Sequence, residues 1–210
     1  MQPGDEQKLL EIFEDARDHG YLGPEPVRRH LDHSVALAQL LGAPPPQFVD
    51  LGSGAGVPGL VLAVLWDKVD AVLVDANQRR CADLREAATR LGLTSRVSVR
   101  CGRAEALARE PDLRGRFGLV VARAFGRPAV TAECAVGFLE PAGCLVVTEP
   151  PEASADESLR WPPEGLGRLG FGPATSMRNE GVGAVAISAV GPLDERWPRA
   201  VGRPAKSPLW

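Results

Sequence analysis

The chain has 210 residues, of which 44% are hydrophobic and 24% charged, and its formal net charge at pH 7 is −3. This length predicts one domain with a substantial core and room for a small extension. A slightly acidic chain has no overall positive field to attract a polyanion, and its single Tyr gives no basis for an aromatic stacking surface. Any surface for nucleic acid must therefore be local.

The start of the sequence shows no charged-then-apolar leader pattern, and no apolar run approaches the ~20 residues of a membrane span. We therefore expect a cytoplasmic protein, and a monomer. The four cysteines are not at C-x-x-C spacing. They are expected to be small, reduced, apolar side chains rather than metal ligands.

Two helices are predicted before the first strand. Apolar side chains recur at helical spacing in residues 6–19, and Pro26 begins a second amphipathic segment. Since no strand precedes them, these helices are expected to form an N-terminal cap over residues 1–42. His30 and His33 lie close together in the second helix, but the sequence offers no further cluster of ligands. A capping or packing role is therefore favoured over a metal site.

The most informative stretch is QFVDLGSGAGVPG at residues 47–59. Its apolar run, its four closely spaced glycines and the apolar segment that follows indicate a buried strand, a tight turn and a buried helix. Glycine permits positive φ angles and close approach of a ligand, and the N–H groups at a helix start favour a polar one. Gly56 comes one residue early for the dinucleotide pattern G-x-G-x-x-G, so the turn alone does not identify the ligand.

Beyond this turn, short apolar strands alternate with helices. The alternation predicts an α/β fold with right-handed βαβ units, a mainly parallel sheet and helices on both faces. The final strand, at residues 183–190, is expected to be antiparallel, in a hairpin with residues around 168–178. The other predicted strands are 71–74, 97–101, 117–122 and 143–148, and the helices are 78–91, 104–108 and 128–139.

The ends of the predicted strands carry the next candidates, because ligands of such sheets bind at the carboxyl ends of the strands. Asp75 follows the second strand, and the polar loop 102–105 follows the third. A carboxylate at position 75 can accept hydrogen bonds from both hydroxyls of a ribose, which favours an adenosine-containing cofactor. Both NAD and S-adenosylmethionine (SAM) satisfy these observations.

Several motifs together resemble one family. The sequence VDLGSGAGVPG at residues 49–59 is similar to motif I of class I SAM-dependent methyltransferases, and its GVPG ending resembles the RsmG/GidB family of 16S rRNA guanine-N7 methyltransferases. RHLDHS at 29–34, RAE at 103–105 and ARAF at 122–125 agree with that family. The resemblance runs from about residue 26 to 209. It implies a Rossmann-like, seven-stranded sheet of order 3-2-1-4-5-7-6 in which strand 7 is antiparallel.

The resemblance also implies roles for individual residues. Arg123 is expected beside the cofactor, where the substrate base enters, and is the candidate catalytic residue; an ion pair with a strand-end carboxylate is the alternative. Ala104 and Glu105 are expected to border the adenine. The full set of expected SAM-binding residues is Gly52, Gly54, Gly56, Val57, Asp75, Ala104, Glu105 and Arg123.

The C-terminal segment resembles the basic, proline-bearing end of the same family. It follows a SAM-binding domain expected at residues 43–194 and occupies residues 195–210. Its three prolines predict that it is not a helix, and Trp197 and Trp210, with Leu209, predict an ordered arm laid over the domain. The residues expected to contact phosphates of 16S rRNA are Arg196, Arg199, Arg203 and Lys206.

Two features keep a second substrate class open. The N-terminal helix lacks the family's Trp-Asn…Asn-Leu-Thr segment, and residues 149–164 hold five acidic side chains against one Arg, which would repel phosphates. The first alternative is a diverged SAM-dependent methyltransferase that acts on a small molecule or another RNA. The second is a non-catalytic binding module or an NAD enzyme.

Overall fold

The computed structural model of the protein describes residues 1, 4–149, 157–179 and 181–210. Residues 150–156, which belong to the predicted acidic stretch 149–164, lie outside this set. The helices are α1 (Asp5–Asp18), α2 (Val27–Leu41), α3 (Gly59–Leu65), α4 (Gln78–Arg90), α5 (Ala104–Leu107), α6 (Pro128–Val136), α7 (Glu157–Arg160), α8 (Pro163–Arg168) and α9 (Arg203–Lys206). The strands are β1 (Gln47–Leu51), β2 (Asp70–Asp75), β3 (Val97–Cys101), β4 (Phe117–Ala122), β5 (Leu139–Glu149), β6 (Phe171–Asn179) and β7 (Val182–Ala189).

The seven strands form one sheet of order β3-β2-β1-β4-β5-β7-β6. Strands β1 to β5 run parallel, and β7 is antiparallel to both β5 and β6. The order and the antiparallel seventh strand confirm the predicted fold. As expected for a sheet covered on both faces, consecutive residues of the central strands β1 and β4 are mostly buried rather than alternately buried and exposed.

Alternate residues of the central strands enter two different cores, one on each face of the sheet. Phe48 joins the core formed with α1 to α4, whereas its neighbour Val49 joins the core formed with α5, α6 and α8. Truncating a fully buried Leu in a core of this kind costs about 2–5 kcal/mol. The largest fully buried side chains of the two cores are Leu9, Phe13, Leu31, Leu37, Phe48, Leu60, Leu62 and Leu73 on the first face and Leu51, Phe138, Leu139 and Trp161 on the second.

The C-terminal arm, residues 195–210, packs on the second face. Trp197 is 6% exposed, and its indole N–H donates to the carbonyl of Arg168 at 3.1 Å. Trp210 packs on Gly165, where a Cβ would lie 2.4 Å from Cε3 of the indole ring. The prediction that the prolines exclude a helix was wrong. The one-turn helix α9 begins after Gly202 and carries a proline in its first turn, where the missing N–H costs nothing.

Within the described part of the chain, none of the helices has both the length and the apolar character needed to cross a membrane.

Candidate active site

The glycine turn after β1 is held against the end of β2. The backbone N–H groups of Gly52 and Ser53 both donate to the carbonyl of Val74, at 2.8 and 2.9 Å. Gly52 has φ +78°, and a Cβ there would lie 2.6 Å from Cδ2 of Phe125. Gly59, which begins α3, leaves no room for a side chain either, because its Cβ would lie 2.3 Å from Oδ2 of Asp50. Glycine is therefore required at these two positions for steric reasons.

Asp75 ends β2 and fixes the turn. Its side chain is 7% exposed, and it accepts hydrogen bonds from the N–H of Gly54 at 2.9 Å and of Asn77 at 2.8 Å. Arg80 lies 3.9 Å from the same carboxylate. The carboxylate is thus oriented by two backbone donors at the edge where the strands end.

A cavity of about 520 Å³ opens at the carboxyl ends of β1, β2 and β3, and we call it the Gly52 cavity. Four predicted SAM-binding residues line it: Gly52, Asp75, Ala104 and Glu105. The other four do not line it. Gly54 supports Asp75 through its N–H. Gly56, Val57 and Arg123 lie elsewhere, since Gly56 packs against Leu60, Val57 is 7% exposed and Arg123 lines a second cavity.

The second cavity has a volume of about 710 Å³, and we call it the Arg123 cavity. It lies between α2, the segment after β4, the end of β5 and the β6–β7 hairpin. Ala124 lines both cavities, so they meet at this residue. Ala124 has φ +51°, an uncommon backbone conformation for a residue other than glycine. Strained backbone of this kind is often found at functional sites.

Arg123 and His30 form the central pair of the second cavity. Nη2 of Arg123 lies 2.7 Å from Nδ1 of His30. Arginine donates and stays charged, so Nδ1 is the acceptor and the histidine is neutral. Burial and the charge of Arg123 lower the pKa of His30, and the same causes lower the pKa of His33 to about 4. Among the described residues, Nε2 of His30, Nδ1 of His33 and Nη1 of Arg123 are buried without a hydrogen-bond partner.

This arrangement changes the interpretation of the two histidines. The sequence favoured a capping or packing role, but both line a cavity and one binds the candidate catalytic arginine. The only available signal was the RHLDHS motif at residues 29–34, whose partner in the fold was not visible from spacing. No group of three or more His, Cys, Asp or Glu side chains in the described ranges could hold a metal ion.

Asp50 is a further buried acid that the sequence analysis did not select. It is 1% exposed in β1, and Oδ2 accepts the N–H of Gly59 at 3.1 Å. Burial and, to a smaller extent, the charge of Asp75 raise the pKa of Asp50 to about 7, against the opposing effects of the hydrogen bonds from Ser53 and Gly59. Its position in β1, two residues before Gly52, was the signal that could have identified it.

The predicted RNA contacts on the C-terminal arm do not share one environment. The prediction that Arg199 contacts phosphates is corrected by its surroundings. Its guanidinium binds the fully buried Glu133, with Nη2 to Oε2 at 2.6 Å, so it is an internal anchor rather than a free cation. Arg196 is exposed beside Asp194 at 2.7 Å. Arg203 and Lys206 are exposed on α9.

Glu149, the first residue of the predicted acidic stretch, faces inward. Its side chain is 7% exposed, pairs with Arg160 at 2.9 Å and accepts the indole N–H of Trp161 at 3.0 Å. Its charge is thus compensated within the chain, which weakens the argument that this residue repels phosphates.

Comparison with known proteins places this geometry in a family. A family model described as rRNA small subunit methyltransferase G matches residues 23–157. Ribosomal RNA small subunit methyltransferase G of Prochlorococcus marinus (strain MIT 9313) is 37% identical over 171 residues, 79% of this chain and 68% of that protein. The protein of that name from Roseiflexus sp. (strain RS-1) is 34% identical over 188 residues, 87% of this chain and 79% of that protein. The chain belongs to this family.

Solved methyltransferase structures share the fold of this methyltransferase G family member. The O-methyltransferase from Bacillus cereus, in complex with SAH, has a TM-score of 0.59 at 16% identity and covers 87% of this chain and 90% of its own. The O-methyltransferase TomG from Streptomyces achromogenes, in complex with SAM, has a TM-score of 0.59 at 18% identity, covering 91% and 92%. These structures confirm the predicted fold, and membership of the rRNA small subunit methyltransferase G family confirms the predicted family, enzyme class and cofactor: this chain is a SAM-dependent methyltransferase.

The residues of the Gly52 cavity fit that cofactor. Its volume is within the range of about 300–1,000 Å³ that small-ligand sites occupy. The carboxylate of Asp75 suits two ribose hydroxyls, and the backbone at Gly52 has no side chain between it and the cavity. We therefore regard the Gly52 cavity as the candidate cofactor site and the Arg123 cavity as the candidate substrate site.

Proposed function

We propose that this methyltransferase transfers the methyl group of SAM to N7 of a guanine in 16S rRNA of the small ribosomal subunit, acting as a cytoplasmic monomer. SAM occupies the Gly52 cavity, and the guanine enters the Arg123 cavity. The observation that carries the proposal is the meeting of the two cavities at Ala124, with Arg123 and His30 beside that point. The family of the chain supports the rRNA substrate.

On the cofactor side, this chain supplies orientation. Asp75 would hold the ribose hydroxyls, Ala104 and Glu105 would border the adenine, and Gly52 would let the cofactor approach the backbone; all four residues line the Gly52 cavity. Bound SAM supplies an electrophilic methyl group on a sulfonium. The carboxylates of Asp75 and Glu105 also offset the positive charge of that cofactor before transfer.

On the substrate side, N7 of guanine already exposes a lone pair, so no residue has to remove a proton. The catalytic contribution is then placement of the base and exclusion of water. Guanine presents O6 as an acceptor next to N7. With Nη2 held by His30, Arg123 has Nη1 left to donate to O6 without covering N7. A buried donor that lacks a partner in the described part of the molecule suits an acceptor brought by the substrate.

The exposed basic residues of the C-terminal arm, Arg196, Arg203 and Lys206, are the proposed phosphate contacts. The slope of log K against log salt is negative, and each contact makes it steeper by about 0.9 on duplex-like RNA. Arg199 is excluded from this set because Glu133 holds it.

Mass spectrometry of 16S rRNA from cells with and without the gene tests the proposal. We expect one methyl group to be missing from a guanine in the deletion strain and restored by the wild-type gene but not by R123A. Unchanged 16S rRNA would contradict the proposal. A methyl group missing instead from another RNA or a small metabolite would support the alternative substrate class.

A further inference from the structure

The C-terminal arm reaches the candidate cofactor site. Ala205 in α9 lines the Gly52 cavity together with Glu105 and Arg127, although it lies far from the glycine turn in sequence. We infer that the C-terminal arm forms the outer wall of the SAM site, and that Arg199 and Gly202 are positioning residues for cofactor binding. The inference rests on the proposed location of SAM in the Gly52 cavity, and it does not depend on the identity of the methyl acceptor.

The first link is a hydrogen bond between the arm and the adenine side of the cavity. Glu105 is 3% exposed, and its Oε1 accepts the N–H of Gly202 at 2.9 Å. Gly202 has φ +78°, a conformation that glycine adopts without the penalty of a side chain. The arm therefore fixes the orientation of the Glu105 carboxylate, which lines the cavity. Without the arm, this buried carboxylate would be free to reorient.

The second link is a buried ion pair that anchors the arm. Glu133 on α6 is fully buried, and its Oε1 accepts the N–H of Arg199 at 2.9 Å and Nε of the same residue at 2.8 Å. Nη2 of Arg199 donates to Oε2 at 2.6 Å and to the carbonyl of Ser207 at 2.8 Å. The helix α9 is thus tied at both ends, by Gly202 to Glu105 and by Ser207 to the ion pair.

Further contacts hold the segment before α9. Nη2 of Arg109 donates to the carbonyl of Pro198 at 2.6 Å, and Nη1 of Arg114 donates to the carbonyl of Trp197 at 2.9 Å. Two arginines of the domain are therefore used to bind the backbone of the arm. These hydrogen bonds fix the position of the C-terminal arm, as expected if the arm completes the SAM site in the Gly52 cavity.

Substitution at Ala205 tests the wall directly. Ala205 is exposed and lines the cavity, so A205W should obstruct SAM while leaving the fold intact. Ala200 is also exposed on the arm but is not among the residues that line the cavity, so A200W is the matched control. Calorimetric titration with SAM should show at least tenfold weaker binding for A205W and less than twofold change for A200W. Equal affinities in A205W and the wild type, or equal losses in both variants, would overturn the inference.

Hydrogen exchange of the wild-type protein provides a second test that requires no variant. With SAH bound, amides of residues 198–207 should exchange at least threefold more slowly, together with those of residues 47–59. Protection of residues 47–59 alone would overturn the inference. Neither experiment contains RNA, so the outcome is independent of whether 16S rRNA proves to be the substrate.

Discussion

The two cavities that meet at Ala124 are built in different ways. The Gly52 cavity is formed by the loops that follow consecutive strands, and its key contacts involve backbone atoms, such as the N–H of Gly54 on Asp75. The Arg123 cavity is assembled from α2, the segment after β4, the end of β5 and the β6–β7 hairpin, and its key contact joins two side chains, Arg123 and His30.

This difference assigns separate tasks to the two regions. A site built on backbone and strand ends is rigid and suits a ligand that is the same in every turnover. A site built from the side chains of distant elements can be matched to one acceptor among many. Changes on the first side should therefore alter cofactor binding or folding, whereas changes on the second should alter transfer with cofactor binding intact.

The largest expected effect is on the pH dependence of stability, through Asp50. Its pKa is raised from 3.8 to about 7. Between these values Asp50 binds more protons in the folded state than in the unfolded state, so its contribution to stability falls as pH rises from 4 to 8. A shift of this size corresponds to about 4 kcal/mol. Urea unfolding at several pH values should show the free energy of unfolding of the wild type falling by this amount relative to that of D50N, since both proteins keep the opposite contributions of His30 and His33.

His33, which lines the Arg123 cavity, provides a control because its contribution to stability changes with pH in the opposite direction. Its folded pKa of about 4 lies below the ordinary 6.5, so its contribution is present above pH 6.5 and is lost as pH falls toward 4. H33N should remove only this loss of stability between pH 6.5 and pH 4. Parallel curves for the wild type, D50N and H33N would show that neither group is buried as described.

The second effect concerns the space above the glycine turn. In G52A the new Cβ would lie 2.6 Å from Phe125, at a residue with φ +78°. Crowding of this kind costs about 1–3 kcal/mol, so SAM affinity should fall about 10- to 100-fold in a titration. Gly92 has φ +70° with nothing within 4 Å of its Cβ, so G92A carries the same backbone strain without the clash. Equal SAM affinity in the two variants would contradict the assignment.

The third effect isolates the substrate side. H30F removes the acceptor for Arg123, and we expect about tenfold slower methyl transfer at saturating SAM, with SAM affinity unchanged. H30N keeps an acceptor near the position of Nδ1 and should restore transfer to within about threefold of the wild type, since a single neutral hydrogen bond contributes about 1 kcal/mol. A parallel loss of SAM affinity in H30F would indicate that the two cavities do not act separately.

The smallest effect separates two arginines of the C-terminal arm. R203A should make the negative slope of log K against log salt for RNA binding shallower by about 0.9 and leave SAM affinity unchanged. R199A should have the opposite outcome, weaker SAM binding and an unaltered slope, because Glu133 holds this side chain. Filter-binding titrations across salt concentrations, paired with calorimetry, measure both quantities. A reduced slope in R199A would return that residue to the RNA contacts.

The same contrast explains what could be predicted from the sequence. The sheet order, the glycine turn and the position of Asp75 at the edge of the Gly52 cavity follow from local patterns and from the family motif. The bond between His30 and Arg123 joins segments 93 positions apart in sequence, and no periodicity reports such a pairing. Arg199 was misassigned for a similar reason: its charge is visible in the sequence, but the buried Glu133 that neutralises it is not.

Methyl transfer to small ribosomal subunits that lack the modification would show whether a guanine N7 of 16S rRNA is the acceptor. Wild-type protein would be incubated with labelled SAM and these particles, and the digested 16S rRNA separated into nucleosides. We expect label in 7-methylguanosine alone, at about one equivalent per particle, and about tenfold slower labelling by H30F. Label in another nucleoside, or none in the RNA while SAM binds normally, would contradict this expectation.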